Sequence, residues 1–172
     1  MNQRIRTALY GGSFNPLHEG HLALGRFVID HHFVEECWYV LSPQNPLKDA
    51  GILSDAKERF DQLKNVLSAH PGCFASALEL DAPAPNYTVD TVKRAVERYP
   101  DRCFSLLIGA DNLDVFTQWK DYEYLLEHHD ILVYPRPGST HQIPASWKRV
   151  QLLKAPMMDI SSSQIRAQFS KK

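Results

Sequence analysis

At 172 residues, with 44% hydrophobic and 23% charged residues, the chain is sized for one globular domain over residues 1–172, which excludes a disordered or fibrous protein. Its formal net charge of −1 supplies no global field for nucleic acid or an anionic membrane, so neither is expected as a partner and any phosphate must be gripped locally. Cys37, Cys73 and Cys103, odd in number and widely spaced, exclude a disulfide framework and fit a reducing compartment.

Each cysteine sits among apolar residues and is expected to be buried. No stretch approaches the roughly 20 apolar residues of a membrane span. Residues 1–16 lack the apolar core of a signal peptide, so a cytoplasmic location is expected. Short β-like runs alternate with amphipathic helical segments, the pattern of a parallel sheet wrapped by helices. Strands are predicted at 5–10, 37–41, 74–80, 104–108, 131–134 and 150–153. Helices are predicted at 19–32, from an N-cap at Ser54 to 69, from a Thr88 cap to 99, at 112–116, 122–126 and 161–169. The expected architecture is α/β and Rossmann-like, with a parallel sheet of about five strands flanked by helices. Two long proline-bearing loops, 42–53 and 81–87, emerge at the carboxyl ends of strands, where ligands bind in open α/β sheets.

The strongest chemical signal is Gly11-Gly12-Ser13-Phe14-Asn15-Pro16-Leu17-His18-Glu19-Gly20-His21, between the first strand and the first helix. The glycines let the backbone turn sharply and bring N–H groups close to a phosphate. His18 and His21 share one face at the helix N-terminus and point toward the same anion, suited to charge that develops during in-line phosphoryl displacement. A zinc site would need a third ligand, which no Cys-x-x-Cys or nearby carboxylate pair offers. At the other end, Ser161-Ser162-Ser163 opens the last predicted helix, with Arg166 in its first turn. Hydroxyls and a guanidinium fork there suit phosphate oxygens, although alone they read as a serine cap with a solvated arginine.

Several central residues have two readings each. Lys48 reaches an anionic phosphate or stays a surface lysine. Asp111, just after Gly109, accepts from ribose hydroxyls or caps a helix. Trp119 stacks on an aromatic ring or packs in the core, and Thr88 caps its helix while lining the pocket. Arg136, in the turn Pro135-Arg136-Pro137-Gly138, is expected to be exposed, touching ATP or solvent. The pairs His31-His32 and His128-His129 are expected at the surface, and Trp38 and Trp147 are assigned to structure.

The two terminal motifs together resemble the adenylyltransferase branch of the nucleotidyltransferase superfamily. The run from Ser42-Pro43 through Pro46-Leu47-Lys48 resembles that family's proline-rich loop ending in lysine. Tyr87-Thr88-Val89-Asp90-Thr91 resembles its YTxDT segment, Ile108-Gly109-Ala110-Asp111-Asn112-Leu113 with Trp119 its IGADxL…W, and Arg136-Pro137-Gly138 its RPG turn. Over nearly the whole chain this is similar to the bacterial nicotinate mononucleotide adenylyltransferases, with Leu17 standing where a second proline is frequent. The resemblance implies adenylyl transfer from ATP to nicotinate mononucleotide in NAD biosynthesis, releasing pyrophosphate without a covalent intermediate. It implies catalytic roles for His18, His21 and Arg166. ATP would bind those three with Gly12, Ser13, Phe14, Gly109, Asp111, Arg136, Ser162 and Ser163. The mononucleotide would bind Ser13, Phe14, Lys48, Thr88 and Trp119. Mg²⁺ is expected to arrive with ATP, since no carboxylate cluster offers a dedicated cage, and a homo-oligomer is compatible. Alternative acceptors are nicotinamide mononucleotide and phosphopantetheine. The alternative of another class is a non-catalytic nucleotide-binding sensor, which intact His18, His21 and Arg166 oppose.

Overall fold

In β1 (Ile5–Gly12), Ala8 and Tyr10 join the core on one side of the sheet and Leu9 the core on the other, all three buried. The next strand, β2 (Glu36–Leu41), repeats this, with Cys37, Tyr39 and Leu41 on one side and Trp38 and Val40 on the other. Strands apolar on both faces need helices on both faces, and a parallel sheet provides them. The computed structural model describes residues 2–43, 55–140 and 142–157.

After β1 come α1 (Glu19–Asp30), β2, α2 (Ala56–Leu67), β3 (Cys73–Ser76), α3 (Thr88–Arg98) and β4 (Arg102–Gly109). Then follow α4 (Ala110–Leu113), a 3₁₀ turn (Phe116–Gln118), α5 (Tyr122–His128), β5 (Ile131–Tyr134) and β6 (Val150–Leu152). The six strands, one at each predicted position, lie in the order β3-β2-β1-β4-β5-β6, and every pairing is parallel. The order reverses between β1 and β4, and the crevice at such a switch point is where these sheets bind ligands. Side chains of α1 and α2 pack one face through Leu22, Leu24, Val28, Leu63 and Leu67. On the other face lie Val89, Val92 and Ala95 of α3, with Phe116 and Leu125.

Several expectations are corrected. The third strand ends at Ser76, because residues 78–81 turn instead and carry Leu78 and Glu79 into the interior. The apolar run that read as strand is buried, but as a turn. Helix α2 is capped by Asp55, whose carboxylate accepts from the Lys57 N–H at 2.8 Å. Ser54 lies outside the described residues, as does the predicted helix at 161–169. Thr88 is the first residue of α3 rather than its cap, which is Tyr87 with no side-chain bond. Cys37 and Cys73 are buried, but Cys103 is exposed, because burial in β4 begins only at Phe104.

His31, His32 and His128 are exposed, but His129 is 6% exposed. Its Nδ1 lies 2.9 Å from the Phe104 carbonyl, which fixes the proton on Nδ1 and leaves Nε2 buried with no partner among the described residues. Burial, with Arg149 and His128 nearby, holds its pKa below the usual 6.5, despite the opposing pull of the Phe104 carbonyl and Asp130. Between the two pKa values the unfolded chain binds more protons, so stability falls as pH drops below about 6.5. We expect His129→Leu, though less stable at neutral pH, to lose less stability than the parent between pH 7.5 and 5. Urea midpoints at both pH values check this; identical pH slopes for parent and variant would assign the acid sensitivity elsewhere.

Candidate active site

The loop leaving β1 is shaped by one buried ring. Phe14 has a left-handed backbone (φ 44°), and its side chain is buried edge-on against Tyr10 and His21, with ring centroids 5.6 and 5.0 Å apart. A Cβ on Gly12 would stand 3.2 Å from this ring, so the second glycine answers a close approach within the loop.

His18 and His21 close the N-terminus of α1 on each other. His18 is the N-cap, and its Nδ1 accepts the Gly20 N–H at 3.1 Å; the Nδ1 of His21 accepts the His18 N–H at 3.1 Å. This is a capping box whose usual serine and glutamate are replaced by two imidazoles. A ring nitrogen that accepts an N–H carries no proton, so the proton of each imidazole sits on Nε2. The rings stack at 3.7 Å and 24°. Burial, reinforced by the Arg136 charge, lowers the His18 pKa below its ordinary value and favours the neutral ring. The pair is therefore two neutral Nε2–H donors held parallel by the helix start itself.

Helix α1 is held onto the sheet beneath the pair. The Tyr39 hydroxyl donates to the His21 carbonyl at 2.8 Å, and burial raises its pKa so that it remains a donor. Gly25 leaves the notch that this hydroxyl occupies, since any Cβ there would collide with it.

Across the switch point, β4 ends at Gly109, which pairs with Tyr134 of β5. Asp111 follows in the first turn of α4 and is not the cap, which is Gly109. Arg136 is half-buried rather than exposed, with its Nε 3.8 Å from the Asp111 carboxylate. A Cβ on Gly109 would reach the Asp111 carboxylate and come within 3.1 Å of Arg136 and Tyr134, so glycine lets the three converge. Farther along, Lys120 bonds Asp90 of α3 at 2.9 Å and lies 5.0 Å from the Tyr87 ring centre. This ties the segment after the 3₁₀ turn to the start of α3, where Thr88 stands. Trp119 is half-buried, its ring 4.9 Å from that of Phe116, so it lines the core while keeping exposed surface. Trp38 is buried, and Trp147 packs on Phe116, as expected of structural residues. Lys48, Ser162, Ser163 and Arg166 lie outside the described residues.

Two interior charges escaped the sequence reading. Arg59 of α2 is 2% exposed, and its guanidinium donates to the carbonyls of Ser13, Ser42 and Pro43 at 2.8, 3.2 and 3.0 Å. Its signal was spacing: Arg59 precedes the buried Leu63 and Leu67 by one and two turns, an arginine on the apolar stripe. Glu79 accepts from the Ser42 hydroxyl at 2.9 Å and the Thr91 hydroxyl at 3.0 Å. Burial raises its pKa against the pull of those hydroxyls and of Arg94.

The cytidylyltransferase-like family model matches residues 9–168. A probable nicotinate-nucleotide adenylyltransferase from Cytophaga hutchinsonii is 42% identical over 162 residues, covering 94% of this chain and 84% of that protein. Another of the same name from Bacteroides fragilis is 36% identical over 166 residues, covering 95% and 81%. Among solved structures, a Plasmodium falciparum nicotinic acid mononucleotide adenylyltransferase complexed with NaAD has a TM-score of 0.76 at 20% identity, a likeness of fold. That match covers 95% of this chain and 83% of the other.

Proposed function

Because the chain belongs to the cytidylyltransferase-like family, and within it to the nicotinate-nucleotide adenylyltransferases, we propose that its single domain transfers the adenylyl group of ATP to nicotinate mononucleotide. The observation that carries the site assignment is the imidazole pair at the start of α1, beside the switch point, with both Nδ1 atoms spent on backbone N–H groups. A phosphate oxygen of the mononucleotide attacks the α-phosphorus of ATP in line, and the bond to the bridging oxygen breaks as pyrophosphate leaves. His18 and His21 donate from Nε2 to the triphosphate, where charge grows in the transition state. The backbone of Gly12, Ser13 and Phe14 supports the reacting phosphates. Gly109 and Asp111 seat the adenosine side, with Arg136 contributing positive charge beside them. Thr88 and Trp119 seat the pyridine ring, Lys48 takes the acceptor phosphate, and Ser162, Ser163 and Arg166 take the departing pyrophosphate.

Magnesium enters as part of the ATP complex. The ion prefers oxygen ligands, and the described site residues offer it two imidazoles with Nδ1 already bonded and one carboxylate beside Arg136. Phosphate oxygens and water would therefore be its ligands at this site. Pyrophosphate release with ATP and each of nicotinate mononucleotide, nicotinamide mononucleotide and phosphopantetheine tests the assignment. We expect turnover with the first; binding of ATP without turnover on any of the three would leave a sensor instead.

A further inference from the structure

Resting on the reading of residues 12–14 as the phosphate loop, we propose that Arg59 is a positioning residue for the transfer: it aims the Phe14 backbone N–H at the reacting phosphate by holding the carbonyl of the same peptide. A trans peptide is planar, so its C=O and N–H point in opposite directions. The Nη1 of Arg59 takes the Ser13 carbonyl at 2.8 Å, which turns the Phe14 N–H away from the buried guanidinium. Among the described residues that N–H has no acceptor of its own.

The loop needs such a hold. At φ 44° the backbone of Phe14 is in the left-handed region, which a residue with a Cβ adopts at a steric cost. Rotation of the Ser13–Phe14 peptide about its flanking bonds would relieve that cost and turn the N–H around. Burial of the Phe14 ring resists this from one side, and the guanidinium resists it from the other.

The guanidinium is itself mounted on a second segment. Its bonds to the Ser42 and Pro43 carbonyls fix the plane of the fork, and the Ser42 hydroxyl is tied through Glu79 to Thr91 of α3. The planar fork of Arg59 thus spans two loops, one leaving β1 and one leaving β2, and sets their separation. A lysine ammonium is a compact charge and cannot span the same acceptors in fixed geometry.

The test uses Arg59→Lys and Arg59→Met in the full chain, assayed at temperatures where each is folded. We expect kcat to fall on the order of 10²-fold in both, as for loss of one aimed donor, with ATP affinity changing far less. Met fills the space of the side chain without donating, so a role in packing alone predicts recovery of kcat in Arg59→Met, and that recovery overturns the proposal. So does an unchanged kcat in folded Arg59→Lys. With ¹⁵N-phenylalanine labelling, the Phe14 amide resonance should move when α,β-methylene-ATP, which carries the reacting phosphate but cannot transfer it, is added to the wild type and stay still in Arg59→Lys. Equal movement in both overturns the role of Arg59 alone. No movement in the wild type overturns the phosphate-loop reading and the proposal with it. Should Arg59→Met not fold, the lysine variant and the wild-type resonance decide between these outcomes.

Discussion

Replacing His21 with alanine is expected to lower kcat by about 10²–10³-fold, the usual loss on removing one aimed donor from a developing negative charge. The fold should survive, because the capping bond that His21 makes to the His18 N–H is of a kind whose loss costs roughly 0.5–2 kcal/mol. His21→Asn separates the two duties. An asparagine carbonyl can accept the His18 N–H as Nδ1 does, so helix stability should return toward the parent while kcat stays low. Urea midpoints and steady-state kinetics on the three proteins check this. Full turnover in either variant would remove His21 from the chemistry.

The second large effect concerns the acceptor. Helix α3 starts at Thr88, and its N-cap Tyr87 makes no side-chain cap bond, which among the described residues leaves the first backbone N–H groups and the positive end of an eleven-residue helix beside Tyr87. The segment after Trp119 offers no helix start of its own, since α5 begins only at Tyr122 and the Trp119 N–H is spent on the Phe116 carbonyl. The ammonium of Lys120, 5.0 Å from the Tyr87 ring centre, stands at that edge paired with Asp90. Fixed donors suit the carboxylate of nicotinate mononucleotide and oppose the N–H₂ of the amide, a mismatch of about 1–3 kcal/mol. We therefore expect kcat/KM to favour the nicotinate by at least roughly tenfold. Direct competition between the two mononucleotides decides the matter, and equal use would mean that the α3 terminus does not read the carboxylate.

The N-terminal motif was legible because its residues have few other uses in combination. Two glycines before Ser13 and Phe14, then histidines three apart after a strand, could be placed at a turn into a helix without coordinates. What the sequence concealed was that each histidine also caps the helix, a duty normally carried by serine or glutamate. Arg59 was hidden by its charge, which marks an exposed residue in any reading by composition. Only its place ahead of Leu63 and Leu67 contradicts that. The alternation from Phe74 to Leu80 reads as strand because a buried turn and a buried strand can share one apolar rhythm. His129 was set among surface residues with His128, yet one residue's advance into the strand entry buries it. The matched family model reaches residue 168, past the serines and Arg166, whose placement rests on the motif itself.

Because the Gly20 and His18 amides donate to ring nitrogens rather than to oxygens, those two bonds exist only while Nδ1 keeps its lone pair. A second proton on either ring breaks one of them. Amide hydrogen exchange at residues 18 and 20 is thus an internal gauge of imidazole protonation, readable without substrate. As the solution is acidified, each amide should lose protection in step with the titration of the ring that receives it, Gly20 reporting His18 and His18 reporting His21.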